Sequence, residues 1–176
     1  MEARSKRRVS SGRKRGRVPL SSLRTAEALR TIVAHPRRLD ELVSIMEDSD
    51  RVVRDRAAAT LARLAETHPE RLLRILERLK EDLADDSAYV RWNLVFSLGA
   101  VGARFPGRTP DLLPELTDRL DDSNRVVRDM ACRALLSFAE HDSRRVVEHI
   151  ETCRRPLPRP LRHLLAARGS EKTRKI

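Results

Sequence analysis

The sequence repeats itself every 37 residues, and this period constrains the fold more than any single residue does. The segments 49–65, 87–102 and 123–139 align in one register. The matched positions are Val53, Val90 and Val127, then Arg54, Arg91 and Arg128, then Leu61, Leu98 and Leu135. A fixed period of a few tens of residues is typical of stacked units that cannot bury their apolar faces alone. The period therefore predicts a solenoid, an architecture that generally serves to bind other molecules.

Each period holds two amphipathic helical stretches joined by a short turn. We expect repeats over about 36–68, 69–105 and 109–141, with prolines near the starts of the first helices. A cap helix over 20–35, starting at Ser21 or Ser22, precedes them. A partial repeat over 143–153 follows and is cut short by the proline-rich stretch 154–160. A short helix near 161–167 is predicted to fold back as a C-terminal cap.

The net charge of +11 is concentrated at the two ends of the chain. Residues 1–19 carry +7, residues 154–176 carry another +7, and the intervening 20–153 are left with −3. With almost nothing apolar to bury, 1–19 is predicted to be a disordered basic arm. Residues 154–176 are read as a proline- and arginine-rich segment with a short helix and a basic tail, flanking a solenoid over 20–153.

Composition also narrows the class of protein. No apolar run approaches the roughly 20 residues needed to span a bilayer, and no secretory signal is evident. We therefore expect a soluble, cytosolic chain without a membrane partner. If the source organism has a nucleus, the basic block could instead act as a nuclear localisation signal. Cys132 and Cys153 lie 21 residues apart without a paired spacing, so neither zinc nor a disulfide framework is indicated.

The matched residues resemble the HEAT repeat family, whose units place an Asp in the turn and a Val-Arg pair early in the second helix. Here the Asp precedes the Arg by six residues, and the match covers about residues 36–153. The resemblance implies an all-α, right-handed α-solenoid (superhelix) of about three HEAT-type helix pairs with capping helices. The family's first-helix proline is matched only at Pro114.

The resemblance further implies a ladder that ties the turn of one repeat to the helix of the next. Its members are Asp48, Arg54, Asp85, Arg91, Asp122 and Arg128. A regular row of arginines could instead clamp phosphates, because guanidinium presents a planar fork to them. The Asp at constant offset argues for the structural role.

The outward face of the second helices is the candidate site for a partner. At 100° per residue, the outward positions of the middle repeat are Tyr89, Trp92, Asn93, Phe96, Ala100 and Ala103. If these helices line the concave face, as in the family, aromatic anchors lie between charged flanks. The predicted protein-binding residues are Tyr89, Trp92, Asn93, Phe96, Arg56, Arg63, Met130 and Arg133. Two alternatives remain: the rings fill gaps between repeats, or they stack on bases.

The basic arms offer a second mode of binding. Arg7, Arg8, Arg13, Lys14 and Arg15 are dense enough to hold phosphates of a nucleic acid, with salt-sensitive and sequence-independent affinity. The simpler interpretation is a solvated tail, because short basic blocks occur in many sequences by chance.

No catalytic residue, metal site or cofactor is predicted. The five histidines are scattered, and neither a phosphate-binding glycine loop nor a nucleophile motif is present. Some DNA alkyl-base glycosylases use HEAT-like repeats, but the single Trp, the net acidic body and the few repeats argue against that activity. We predict a non-catalytic scaffold or adaptor that binds a peptide or helix, as a monomer or a weak homodimer. The alternative is a nucleic-acid- or chromatin-associated adaptor.

Overall fold

The computed structural model describes residues 18–109, 111–153 and 156–173. This part of the chain is helical and contains no strand. Its α-helices are α1 (Thr25–Ala34), α2 (Leu39–Ile45), α3 (Arg51–Thr67), α4 (Leu76–Glu81), α5 (Ala88–Arg104), α6 (Leu112–Asp118), α7 (Arg125–Glu151) and α8 (Arg159–Thr173). Short 3₁₀ turns lie at Leu20–Ser22, Pro36–Arg38, Pro69–Ile75, Asp82–Ala84, Pro106–Arg108 and Arg119–Asp121. The chain is an all-α solenoid, as the period predicted.

The first helix of each repeat is short and the second is long. The first helices α2, α4 and α6 each have a 3₁₀ turn before or after them, and three of these turns begin at Pro36, Pro69 and Pro106. The second helices are capped by side chains, since Asp50 and Asn124 each accept a backbone N–H two residues on, at 2.8 Å. Ser87 caps α5 through its hydroxyl, which accepts the N–H of Val90, three residues on, at 3.4 Å. Local residue chemistry therefore sets these boundaries.

The N-terminal helix begins later than its sequence predicted. Ser21 and Ser22 lie in a 3₁₀ turn, and α1 starts at Thr25. The Ser22 hydroxyl donates to the carbonyl of Pro19 at 2.8 Å, so it is occupied within that turn. Glu27 closes the start of α1 by accepting the Arg24 backbone N–H at 3.1 Å.

A break inside α7 marks the start of a fourth unit. Asp142 has a non-helical backbone (φ −145°, ψ 69°), like Phe105 one period earlier (φ −134°, ψ 54°). The Asp142 carboxylate accepts the Arg145 N–H at 3.1 Å and so caps the second half of α7. Arg145 also donates to the carbonyl of Pro106 at 3.2 Å, as Arg71 donates to that of Ile32 two periods earlier. The fourth unit therefore docks in the same way as the second.

Helix α8 packs against α7 and extends over Arg159–Thr173, beyond the short cap helix predicted near 161–167. Leu161 is fully buried near the start of α8, as Val90 and Val127 are near the starts of α5 and α7. The proline-rich stretch does not end the fourth repeat. Residues 156–158 of this stretch lead into α8, and Pro160 lies in its first turn, because prolines are compatible with the last residues before a helix and with its first turn.

The core runs continuously along the stack, with α5 packed between α3 and α7. The period-related Leu61, Leu98 and Leu135 are completely buried. At Gly99, a Cβ atom would lie 2.5 Å from the Cβ of Ala134, which is closer than side chains tolerate. The glycine thus permits the close approach of α5 to α7.

Candidate protein-binding face

An aromatic row runs along α5, in the middle of the stack. Tyr89, Trp92 and Phe96 lie on successive turns, with ring centroids 6.3 Å apart for the first pair and 6.2 Å for the second. The planes are inclined by 29° and 20°, so the rings are stacked in an offset manner. Tyr89 is 48% exposed, whereas Trp92 and Phe96 are half-buried, and Trp92 packs against the core. The Tyr89 end of the row is therefore open to solvent, and the remainder of the row is partly buried.

Two depressions extend the row towards α7. A groove of about 240 Å³ is lined by Phe96, Gly99, Ala100, Met130, Arg133, Ala134 and Ser137. A second recess of about 330 Å³ is lined by Ala88, Tyr89, Trp92, Asn124 and Val126. Both are mostly apolar, and both touch the aromatic row. We call the row and these two depressions the second-helix face.

The charges on this surface change in the middle repeat. Arg51 and Asp55 form an ion pair on α3 at 3.7 Å, and Arg125 and Asp129 form the equivalent pair on α7 at 3.7 Å. The corresponding residues of α5 are Ala88 and Trp92, which carry no charge. The face consequently has an apolar centre with charged pairs on either side.

The outward position predicted for Asn93 and Ala103 is wrong. Asn93 is 2% exposed and donates its side-chain N–H to the carbonyl of Tyr89 at 2.8 Å, and Ala103 is also buried. The projection at 100° per residue treats each helix alone. Because α5 has a neighbour on both sides, only a narrow strip of it stays open.

The predicted arginines are not equivalent in the structure. Arg56 is half-buried and donates to the carbonyl of Ser21 at 2.9 Å, so it joins α3 to the N-terminal turn and does not project outward as expected. Arg63 is exposed and pairs with Glu66 on its own helix at 3.1 Å. Arg133 is exposed at the wall of the groove, and no carboxylate of the described residues pairs with it.

The arginines early in α3 and α5 reach the turn aspartate one repeat further on. Arg54 Nε lies 2.8 Å from Asp85 Oδ2, and Arg91 Nε lies 2.8 Å from Asp122 Oδ2. Burial alone would raise the pKa of each aspartate. Hydrogen bonds from the arginine and from a backbone N–H of the turn outweigh it, so the pKa of Asp85 and that of Asp122 lie below the ordinary value.

The two ends of this series differ from its middle. Asp48 accepts the backbone N–H of Asp50 at 2.8 Å, but within the described ranges no arginine of a preceding unit reaches its carboxylate. At the other end, Arg128 donates to the carbonyls of Asp122 and Ser123, at 2.7 and 3.1 Å, and meets no carboxylate of the described chain.

A buried ion pair near the N-terminus was not predicted from the sequence. Arg38 is 7% exposed and donates from Nε and Nη2 to the two carboxylate oxygens of Glu41, at 2.9 and 2.7 Å. Arg38 also donates to the carbonyl of Val18, and Glu41 accepts the N–H of Leu20. The spacing of three residues, from the turn before α2 into its first turn, was the available signal. The pair clamps the N-terminal segment onto α2.

The reactive and metal-binding side chains of the described residues are dispersed or buried. Cys132 is buried, and burial followed by the nearby charge of Asp129 raises the pKa of its thiol, which disfavours the reactive thiolate. In the part of the chain that the structure describes, no three His, Cys, Asp or Glu side chains are grouped to hold a metal ion. The predicted phosphate-binding residues Arg7, Arg8, Arg13, Lys14 and Arg15 lie outside the described residues.

Comparison with known folds defines the class of the protein as an α-solenoid of the HEAT and armadillo type. An engineered protein superposes with a TM-score of 0.56 at 22% identity, over 75% of this chain and 56% of its own. A computationally designed armadillo repeat protein for modular peptide recognition gives 0.56 at 22%, over 76% and 59%. A second engineered protein gives 0.54 at 20%, over 77% and 38%. The chain thus spans little more than half the length of the first two.

A family model for HEAT repeats matches residues 76–167, which is more than half of the sequence. The chain belongs to the HEAT repeat family. The match extends into α8, in keeping with the fourth helix pair. A search of curated proteins found no significant match. None of the described helices is long and apolar enough to cross a membrane.

Proposed function

We propose that this protein is a non-catalytic scaffold or adaptor that binds a peptide or a helix of a protein partner. The partner would lie on the second-helix face, which would be the concave side of the stack if the second helices line it as in the HEAT family. The observation that carries the proposal is the exposed end of the aromatic row at Tyr89, which lines the mostly apolar recess towards α7. Aromatic side chains in such a setting are the usual anchors of protein interfaces.

The pattern of charge supports the same conclusion. The charged pairs of α3 and α7 give way to Ala88 and Trp92 on α5, so a partner finds its apolar contact at the centre and polar contact at the rim. This is the usual anatomy of a protein interface. A designed armadillo protein of the same fold was made for modular peptide recognition, which supports a peptide as the ligand class.

Selection from a displayed peptide library, using the full chain as bait, would test the proposal. Trp92 is the sole tryptophan, so its fluorescence reports binding at this face directly. We expect Tyr89→Ala to weaken selected peptides by at least about tenfold. Tyr89 is the suitable substitution because its exposed side chain adds little to the core.

Val18→Ala is the matched control, since Val18 is an exposed apolar residue away from the second-helix face. It should leave peptide affinity unchanged. Selected peptides that bind Tyr89→Ala and a folded Trp92→Ala variant as tightly as the parent chain would refute the proposal.

A second candidate function rests on the charge of the ends. The +7 of residues 1–19 would give salt-dependent contact with nucleic-acid phosphates, in a nucleic-acid- or chromatin-associated adaptor. The test is binding to labelled duplex and single-stranded DNA and RNA over a salt series. Replacement of Arg7, Arg8, Arg13, Lys14 and Arg15 by Gln should abolish the binding. Deletion of 154–176 is a poor control because it removes α8 and the buried Leu161.

A further inference from the structure

Three period-related arginines share one anchor on the backbone. The Nη1 atoms of Arg54, Arg91 and Arg128 each donate to the carbonyl of the aspartate that opens their own turn, at 2.9, 2.8 and 2.7 Å. Each also donates to the next carbonyl, at 3.3, 3.1 and 3.1 Å. The anchor holds the guanidinium in one orientation. Its opposite edge, formed by Nε and Nη2, is directed at the following repeat in the first two cases.

In those two repeats the edge is filled by a carboxylate. Arg91 donates from Nε to Asp122 Oδ2 at 2.8 Å and from Nη2 to Oδ1 at 2.9 Å. Arg54 donates from Nε to Asp85 at 2.8 Å and from Nη2 to Asp86 at 2.6 Å. Each edge therefore binds aspartate from the turn one repeat further on.

The third repeat lacks this partner because the equivalent residue of the fourth unit is not an aspartate. The Arg162 N–H donates to the carbonyl of Pro158 at 3.1 Å, as the Arg91 N–H donates to that of Ser87 at 3.0 Å. In this register, Pro156 occupies the place of Asp85 and Asp122, and it has no carboxylate. Arg128 is only half-buried. Its Nε and Nη2 atoms have no hydrogen-bond partner in the described chain and are not sealed from water.

We infer that the Nε/Nη2 edge of Arg128 is a binding site for the carboxylate of an aspartate supplied by a partner polypeptide. The partner's aspartate takes the place that Asp122 takes on Arg91. Two parallel N–H groups match the two oxygens of a planar carboxylate. The exposed Arg159 and Arg162 follow in α8, so the segment that delivers the aspartate is acidic in character. This site is separate from the second-helix face and does not require it.

The probe is a peptide that copies residues 120–124 of this chain, which is acidic through Asp121 and Asp122 and includes the turn from Asp122 to Asn124. It is added to the full chain, and the Nε–H resonances of the arginines are followed by NMR. We expect a saturable shift of the Arg128 resonance. The same peptide with Asp122→Asn should bind Arg128 about tenfold more weakly, because it loses a charged hydrogen-bond acceptor.

A variant of the protein tests whether the peptide occupies the proposed site on Arg128. Pro156→Asp supplies the missing carboxylate within the chain, so we expect it to abolish the shift by the peptide and to raise the melting temperature. The rise should vanish when Arg128→Gln is added. The inference is overturned if the peptide binds the Pro156→Asp variant as before, or if inorganic phosphate shifts Arg128 at lower concentration than the peptide does. Tyr89→Ala should bind the peptide normally, which separates this site from the aromatic one.

Discussion

Arg91 holds Asp122 through two parallel hydrogen bonds, from Nε to Oδ2 at 2.8 Å and from Nη2 to Oδ1 at 2.9 Å. The contact joins α5 to the turn before α7, and the two side chains are only 11% and 3% exposed. Removal of one partner leaves a charge that is shielded from water and unpaired. The stability of the stack should therefore depend strongly on this pair.

Asp122→Ala should lower the free energy of unfolding by about 3 kcal/mol, because it leaves the shielded Arg91 guanidinium without its carboxylate partner. Urea denaturation of the full chain measures this. The control is Asp129→Ala, which breaks a pair with Arg125 whose side chains are 64% and 84% exposed. That change should cost less than about 1 kcal/mol. Equal losses in the two variants would contradict the structural role of the Arg91 contact.

Acid should weaken the stack through the same contacts. The pKa of Asp85 and that of Asp122 are lowered in the folded chain, so their contribution is present above the unfolded pKa of about 3.9. It is lost as pH falls through the lower folded pKa. We expect urea midpoints to fall steeply below about pH 4. A variant with both Arg91→Met and Asp122→Asn should show a shallower fall, and identical slopes would show that the pair is not responsible.

Asp82 should behave in the opposite way. Burial is the main cause that raises its pKa to about 6, with Glu47, Glu81 and Asp85 adding to the rise and Arg78 opposing it. A raised pKa in the folded state favours folding at low pH, and this advantage is lost as pH rises through about 6.

Asp82→Asn should therefore stabilise the chain at pH 7.5 by roughly 1–3 kcal/mol and have little effect near pH 4. Thermal unfolding at the two pH values provides the measurement. The control is Val18→Ala, which changes no titratable group, so its effect on stability should be the same at the two pH values. An equal gain in stability at both pH values would show that the titration of Asp82 is not the cause.

Gly99→Ala should destabilise the chain by about 1–3 kcal/mol through overpacking, although alanine is the better helix former. The added Cβ would lie 2.5 Å from Ala134 Cβ and 3.1 Å from its Cα, so part of the clash is with backbone that cannot rotate away. Gly107→Ala is the control, because nothing lies within 4 Å of its added Cβ. Differential scanning calorimetry of the two variants would show whether the close approach of α5 to α7 depends on the missing side chain.

Much of the fold could be predicted because its determinants are local. The turn aspartates, the prolines before the first helices and the apolar periodicity each act over a few residues. The turn aspartates recur at 37 residues, whereas Pro36, Pro69 and Pro106 are spaced 33 and 37 residues apart. The composition of the candidate binding face was harder to predict from the sequence. The aromatic row is read from spacing alone, but the burial of Asn93 depends on both neighbours of α5. The engagement of Arg56 with Ser21 likewise joins residues far apart in sequence.

The sequence by itself determined the helical class, the period and the alternation of short first helices with capped second helices. The reason is that capping, turn chemistry and amphipathicity are properties of neighbouring residues. Only the tertiary structure decided that α8 completes a fourth pair, that a narrow strip of α5 stays open, and that Arg128 keeps an unfilled edge where Arg91 has Asp122. Those features arise from contacts between one repeat and the next, and a periodic pattern alone does not say which partner occupies a place when the repeat changes.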